Sequence, residues 1–117
     1  MSKGIWIAVY EKIENMEILK KYAIKATTAI DKYSGTFIVR GGKNITLEGN
    51  KSPRTVIVEF PSFADAKKCY NSSEYQEALN IFKGFCEKKL ANYRRNLIAC
   101  FFVLQINIIL DCSKNYS

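Results

Sequence analysis

Residues 4–11 read Gly4-Ile-Trp-Ile-Ala-Val-Tyr-Glu11, and the two faces of this stretch decide the fold. β-Branched and aromatic side chains fill it, so it is expected as a strand. Successive side chains along a strand point to opposite faces. Ile5, Ile7 and Val9 therefore share one face, and Trp6, Ala8 and Tyr10 share the other. Neither face is polar, so a sheet built on this strand needs two covers.

Downstream, Asn15 is placed to cap a helix that begins at Met16, with Glu17 set against the positive end of the helix dipole. Met16, Leu19, Ala23, Ala26, Ile30 and Tyr33 recur at three- and four-residue steps and form one apolar stripe. Ser34-Gly35 closes the helix, with the glycine expected in the left-handed conformation. Residues 36–40, TFIVR, read as a second strand broken by Gly41-Gly42. Residues 45–48, ITLE, continue that strand or form a short return, and EGNKSP carries turn chemistry. Residues 54–60, RTVIVEF, are a third strand, stopped at Pro61-Ser62. Ser62 and Asp65 form a capping-box-like pair for a helix over about 63–70. Asn71-Ser72-Ser73 interrupts it, and Ser73 is expected to restart a helix with Gln76 at the reciprocal capping position. Tyr75, Leu79, Phe82, Phe85 or Cys86, and Leu90 give that helix its stripe. From residue 97, Phe102, Leu104, Ile106, Ile108 and Leu110 alternate against Gln105 and Asn107 and predict a final strand.

The element order is thus β-α-β-β-α-β, an α+β ferredoxin-like arrangement with an antiparallel sheet and its helices on one face. Residues 1–96 are expected to form the core, and residues 97–117 a divergent apolar carboxy-terminal segment supplying the last strand and a short tail. Helices cover only one side of the sheet. The second apolar side is expected to be hidden by another copy, sheet against sheet, in a two-fold homodimer.

At 117 residues the chain is most economically one domain, and its 48% hydrophobic and 25% charged residues are ordinary for a soluble protein. The net charge is +7. The basic residues Lys20-Lys21, Lys25, Lys67-Lys68, Lys88-Lys89 and Arg94-Arg95 lie mostly on expected helices, opposite the apolar stripes, so they read as solvated faces and not as a nucleic-acid surface. Histidine is absent, which removes the commonest general base and transition-metal ligand, and no metal or cofactor site is expected. Cys69, Cys86, Cys100 and Cys112 include no C-x-x-C pair and read as reduced thiols in a cytoplasmic protein. The amino terminus has no signal-peptide pattern, and the apolar run at 97–110 is too short to span a bilayer as a helix.

The segments WIAVYE, YSGTFIVRGG, LEG, RTVIVEFPSFADA and YNSSEYQEAL together resemble the bacterial family known as domain of unknown function 1330. The resemblance covers about residues 4–81. Its most specific parts are Arg40-Gly41-Gly42, Glu48-Gly49, Glu59-Phe60-Pro61-Ser62 and Ser73-Glu74-Tyr75-Gln76. It implies the dimeric α/β-barrel superfamily, in which ferredoxin-like protomers pair through their sheets. It also implies a short last strand ending near Val-Glu-Gly or Val-Asp-Gly, from which the longer, more apolar end of this chain departs.

Arg40 is the sharpest site candidate, since a guanidinium fork suits a carboxylate or phosphate and Gly41-Gly42 would let a ligand approach the backbone. The preferred alternative pairs Arg40 with Glu48 or Glu59 at the strand ends. Glu59 is an acid–base candidate if buried, but a salt bridge to Arg40 or Arg54 is the favoured reading. Tyr10, Tyr33 and Tyr70 could line a pocket with their hydroxyls, although aromatic residues there more often serve the core or an interface. The ligand-binding set is therefore Arg40, Glu48, Arg54, Glu59, Tyr10 and Tyr33. It fits a small acidic or aromatic molecule in the cleft between helices and sheet. The alternative is a non-catalytic dimeric accessory or interaction module, and the residues define no reaction.

Overall fold

A computed structural model describes residues 2–96. The elements are β1 (Gly4–Ile13), α1 (Met16–Lys32), β2 (Thr36–Arg40), β3 (Arg54–Phe60), α2 (Phe63–Asn71), α3 (Ser73–Phe82) and β4 (Cys86–Arg94). The four strands form one antiparallel sheet in the order β2-β3-β1-β4. This is the ferredoxin-like topology, with α2 and α3 together acting as the second helical connection. No helix among the described residues is long and apolar enough to cross a membrane.

β1 lies at the centre because it can be buried on both sides. Trp6, Ala8 and Tyr10 face the helices and are nearly inaccessible, while Ile5, Ile7 and Val9 face the other way and stay partly open. On the helix side, Val58 and Phe60 of β3 meet Ala26, Ala29 and Ile30 of α1 and Ala66 and Ala78 of α2 and α3 in one core. Alanines at these helix positions let the backbones approach the sheet closely.

The caps follow the sequence with small shifts. Asn15 Oδ1 accepts from the N–H groups of Glu17 and Ile18, and Ser62 Oγ accepts from Asp65 N–H. At the helix interruption the capping residue is Ser72, not Ser73: its Oγ accepts from Tyr75 N–H and donates to the Cys69 carbonyl. Gln76 does not reach back to the cap; its side chain donates to the Tyr70 carbonyl. After α1 the left-handed residue is Ser34, with φ 62°, and not Gly35. Gly35 serves packing instead, since a Cβ there would sit 2.5 Å from Ile30 Cγ2.

Two sequence expectations need larger correction. Residues 45–48 form no strand; residues 41–53 are an exposed loop, with Ile45 and Leu47 open to solvent. The second helix does not run on to Leu90. It ends at Phe82, Gly84 takes a left-handed φ of 90°, and Cys86–Arg94 returns as the fourth strand beside β1. Residues 86–94 thus supply the fourth strand of the described sheet, and residues 97–110, expected as the last strand, lie outside the described residues. Lys88, Lys89 and Arg94 accordingly sit on a strand and not on a solvated helix face.

Candidate functional site

β4 alternates, and its inward face carries Cys86, Lys88, Leu90 and Asn92. Lys88 thereby enters the space between sheet and helices. Its Nζ lies 2.6 Å from the Tyr22 hydroxyl of α1 and 3.0 Å from the Tyr75 hydroxyl of α3, and those two hydroxyls are 2.9 Å apart. The rings of Tyr10, Tyr22, Tyr75 and Phe82 all lie within cation–π range of the amine. Tyr22 and Phe82 stack face to face at 4.0 Å, which fixes one wall.

Among the described residues no carboxylate forms an ion pair with Lys88. Burial therefore acts almost unopposed and holds its amine down to about 7, with the Arg54 cation pressing the same way and Cys86 opposing. The surrounding phenols move upward for the same reason: burial pushes Tyr10 to about 12 and Tyr22 and Tyr75 well above the ordinary tyrosine range. The tyrosines thus stay protonated and can give or accept a hydrogen bond at neutral pH.

Arg54, at the start of β3, pairs across the sheet with Tyr10. Ser52 ties this corner down, its hydroxyl bridging the Tyr10 and Arg54 carbonyls. The Arg54 Nε is buried without a hydrogen-bond partner among the described residues. Gly41 explains how the guanidinium fits: the chain passes over it with φ 67°, and a Cβ there would lie 2.5 Å from Arg54 Nη1. The first glycine after Arg40 thus clears a place for a neighbouring arginine.

Lys88, Arg54, Tyr10, Tyr22, Tyr75 and Trp6 border a cavity of about 40 Å³, room for roughly three water molecules. Ala23 and Thr27 of α1 face Phe37 and Arg40 of β2 at its more open side. Arg40 lies over the Phe37 ring at 4.3 Å and donates to Thr27 Oγ1, whose own hydroxyl donates to the Ala23 carbonyl.

Of the residues singled out from sequence, Arg40, Arg54 and Tyr10 come together at this cavity. Glu48, Glu59 and Tyr33 do not line it. Glu48 is exposed in the 41–53 loop, and Tyr33 is the residue that ends α1. Glu59 stands on the opposite face of the sheet, 3.9 Å from Lys3 Nζ and 3.5 Å from Arg95 Nη1. The expected pairing of Glu59 or Glu48 with Arg40, or of Glu59 with Arg54, does not form: Glu59 projects from one side of the sheet and both arginines from the other. Lys88, Tyr22 and Tyr75 were missed because Lys88-Lys89 reads as a solvated pair once a helix is drawn through it. Gly84, taken as a helix stop, would have exposed the alternation that turns Lys88 inward.

Structural comparison places the chain among ferredoxin-like proteins. It aligns with a protein of unknown function from Rhodopseudomonas palustris at a TM-score of 0.67 and 14% identity, covering 82% of this chain and 84% of that one. A dimeric protein of unknown function and ferredoxin-like fold from Bacteroides fragilis aligns at 0.56 and 17% identity, covering 79% and 95%. SnoaB, a cofactor-independent oxygenase from Streptomyces nogalater, aligns at 0.52 with 4% identity over 82% and 93%. At these identities the likeness is one of fold. None of the curated proteins matches the chain in sequence. The family model of Domain of unknown function (DUF1330) matches residues 3–92, from the start of β1 into β4, and the chain belongs to that family.

Proposed function

We propose that the chain binds a small organic acid in the cleft between helices and sheet. The observation that carries this reading is a pair of cationic side chains, Lys88 and Arg54, facing one cavity with no carboxylate paired to either among the described residues. Proteins normally neutralise buried cations with a protein carboxylate. Here the counter-charge is left to a ligand. The Arg54 side chain at the cavity wall supplies one guanidinium, and Arg40 at the more open side adds a second. The cavity's size favours an acid of a few non-hydrogen atoms over an aromatic one. The buried, unbridged thiols of Cys69 and Cys86 support a reducing, cytoplasmic setting.

The test is calorimetric titration with small carboxylates such as glycolate and acetate. Arg54→Gln should weaken binding about 10- to 100-fold, the range for losing a charge-assisted hydrogen bond. Arg54→Gln binding as tightly as the parent chain would overturn the assignment.

The dimeric relative from Bacteroides fragilis and the open sheet face together support a homodimer as the working form. Ile5, Ile7 and Val9 share that face with Ile57, Ala91 and Tyr93, an apolar band across β3, β1 and β4 edged by Thr55, Glu59 and Lys89. Val9 and Tyr93 are respectively 37% and 52% exposed in the single chain, more than a buried sheet face would leave. A second copy packed face to face buries them. Ile7→Glu, at the centre of the surface, should give a folded monomer by light scattering. A dimer that survives this change would place the seam elsewhere.

A further inference from the structure

Lys88 offers more than charge. Its amine is joined to two phenol hydroxyls and walled by aromatic rings, with an arginine across the same cavity. A lysine needed only as a counter-cation would gain from exposure or a carboxylate, and among the described residues this one has neither. Among the described residues, the groups around the amine are neutral or positive: Tyr10 from β1, Tyr22 from α1, Tyr75 and Phe82 from α3, Arg54 from β3 and Cys86 from its own strand. Such surroundings keep a share of the amine unprotonated at neutral pH, with its nitrogen lone pair available.

We propose that Lys88 is a carbonyl-reactive amine that forms a reversible Schiff base with a small 2-oxo acid, whose carboxylate is held by Arg54. This rests on the acid-binding reading above and names its substrate class. The Nζ lone pair forms a bond to the carbonyl carbon, and the C=O π pair moves to oxygen. Oxygen gains a proton and nitrogen loses one, a transfer that the Tyr22 and Tyr75 hydroxyls, 2.9 Å apart, can relay. Loss of water from the carbinolamine leaves C=N. One amine and one carbonyl give one imine and one water, with no oxidant or reductant. Tyr22 and Tyr75 act as positioning and proton-relay residues in this step.

The experiment treats the full chain with glyoxylate and cyanoborohydride at neutral pH, and locates the carboxymethyl group by peptide mass spectrometry. Glycolate, which has the acid but no carbonyl, is titrated in parallel. The expected result is labelling of Lys88 at least about tenfold faster than exposed Lys20 and Lys21, because Lys88 is buried beside two hydroxyls at the cavity and its amine is held down to about 7. Glycolate should slow it, Arg54→Gln should slow it, and Tyr22→Phe should slow it without loss of fold by circular dichroism. Glycolate binding with Lys88 labelled no faster than surface lysines overturns the Schiff base and leaves the acid site standing. Failure of both overturns both. Fast labelling of Lys88 that neither glycolate nor Arg54→Gln affects overturns the choice of a 2-oxo acid.

Discussion

A lysine amine set among four aromatic rings changes how the protein responds to pH. Folded Lys88 titrates at about 7, whereas in the unfolded chain it titrates near 10.5. Between these values the unfolded chain holds a proton that the folded chain does not, so stability rises with pH across that window. Tyr10 works oppositely at higher pH: its folded phenol, pushed to about 12, stays protonated where the unfolded one ionises near 10, so stability falls again above that point. Urea unfolding should therefore become harder from pH 7 to about 8.5, above which the buried Cys69 thiol, pushed up to about 12, begins to oppose the rise. Lys88→Met should flatten that rise, since it removes the titrating group but keeps much of the packing. An unchanged slope in the variant would mean that Lys88 is not the group responsible. An acid bound beside Lys88 favours its charged form, so ligand affinity should drop as pH rises through the same window. At this scale the sequence was only half legible. Arg40, Arg54 and Tyr10 could be picked out because charge and hydroxyls in apolar strands are conspicuous. Glu59 and Arg54 stand five residues apart on β3, so alternation alone sends them to opposite faces, whereas the side Arg40 takes is set by the register of β2 on β3.

Among the elements, β1 through β3 and both capped helix starts follow directly from alternation, three-to-four spacing and cap residues. β4 did not, and the reason is arithmetic. Positions four apart share a face in a helix and in a strand alike, so Phe82, Cys86 and Leu90 satisfy both. What separates the two is the residue between, and there Lys88 resembles solvent-facing charge. The decisive local feature is Gly84, whose φ of 90° suits glycine and strains other residues. Nothing lies near the position a Cβ would occupy, so Gly84→Ala should cost only the backbone term, about 1–2 kcal/mol, read from the midpoint of chemical denaturation. The same substitution at Gly35 meets Ile30 Cγ2 at 2.5 Å and Phe60 Cε1 at 3.0 Å, and its cost is packing, about 1–3 kcal/mol. The helix interruption at Ser72 has a structural use as well. It turns α3 so that Tyr75 reaches Tyr22 and Lys88, joining α1, α3 and β4 at one point.

For the molecule as a whole, the two faces of β1 divide the labour. One face, with Trp6, Ala8 and Tyr10, builds the core and cavity; the other, with Ile5, Ile7 and Val9, is left for the proposed second copy. Because these faces are separate, a monomeric Ile7→Glu chain should bind glycolate with the affinity of the dimer. A large loss of affinity in a folded monomer would show that the seam contributes to the site. The arrangement also fixes how a dimer responds to its ligand. Face-to-face sheets pack about 10 Å apart, so two cavities on their outer sides are separated by more than the screening length of about 8–10 Å in physiological salt. Filling one cleft neither repels nor recruits a ligand at the other. Occupancy of the proposed dimer should then climb as a simple hyperbola with a Hill coefficient of about 1, a graded and not a threshold response to the proposed acid.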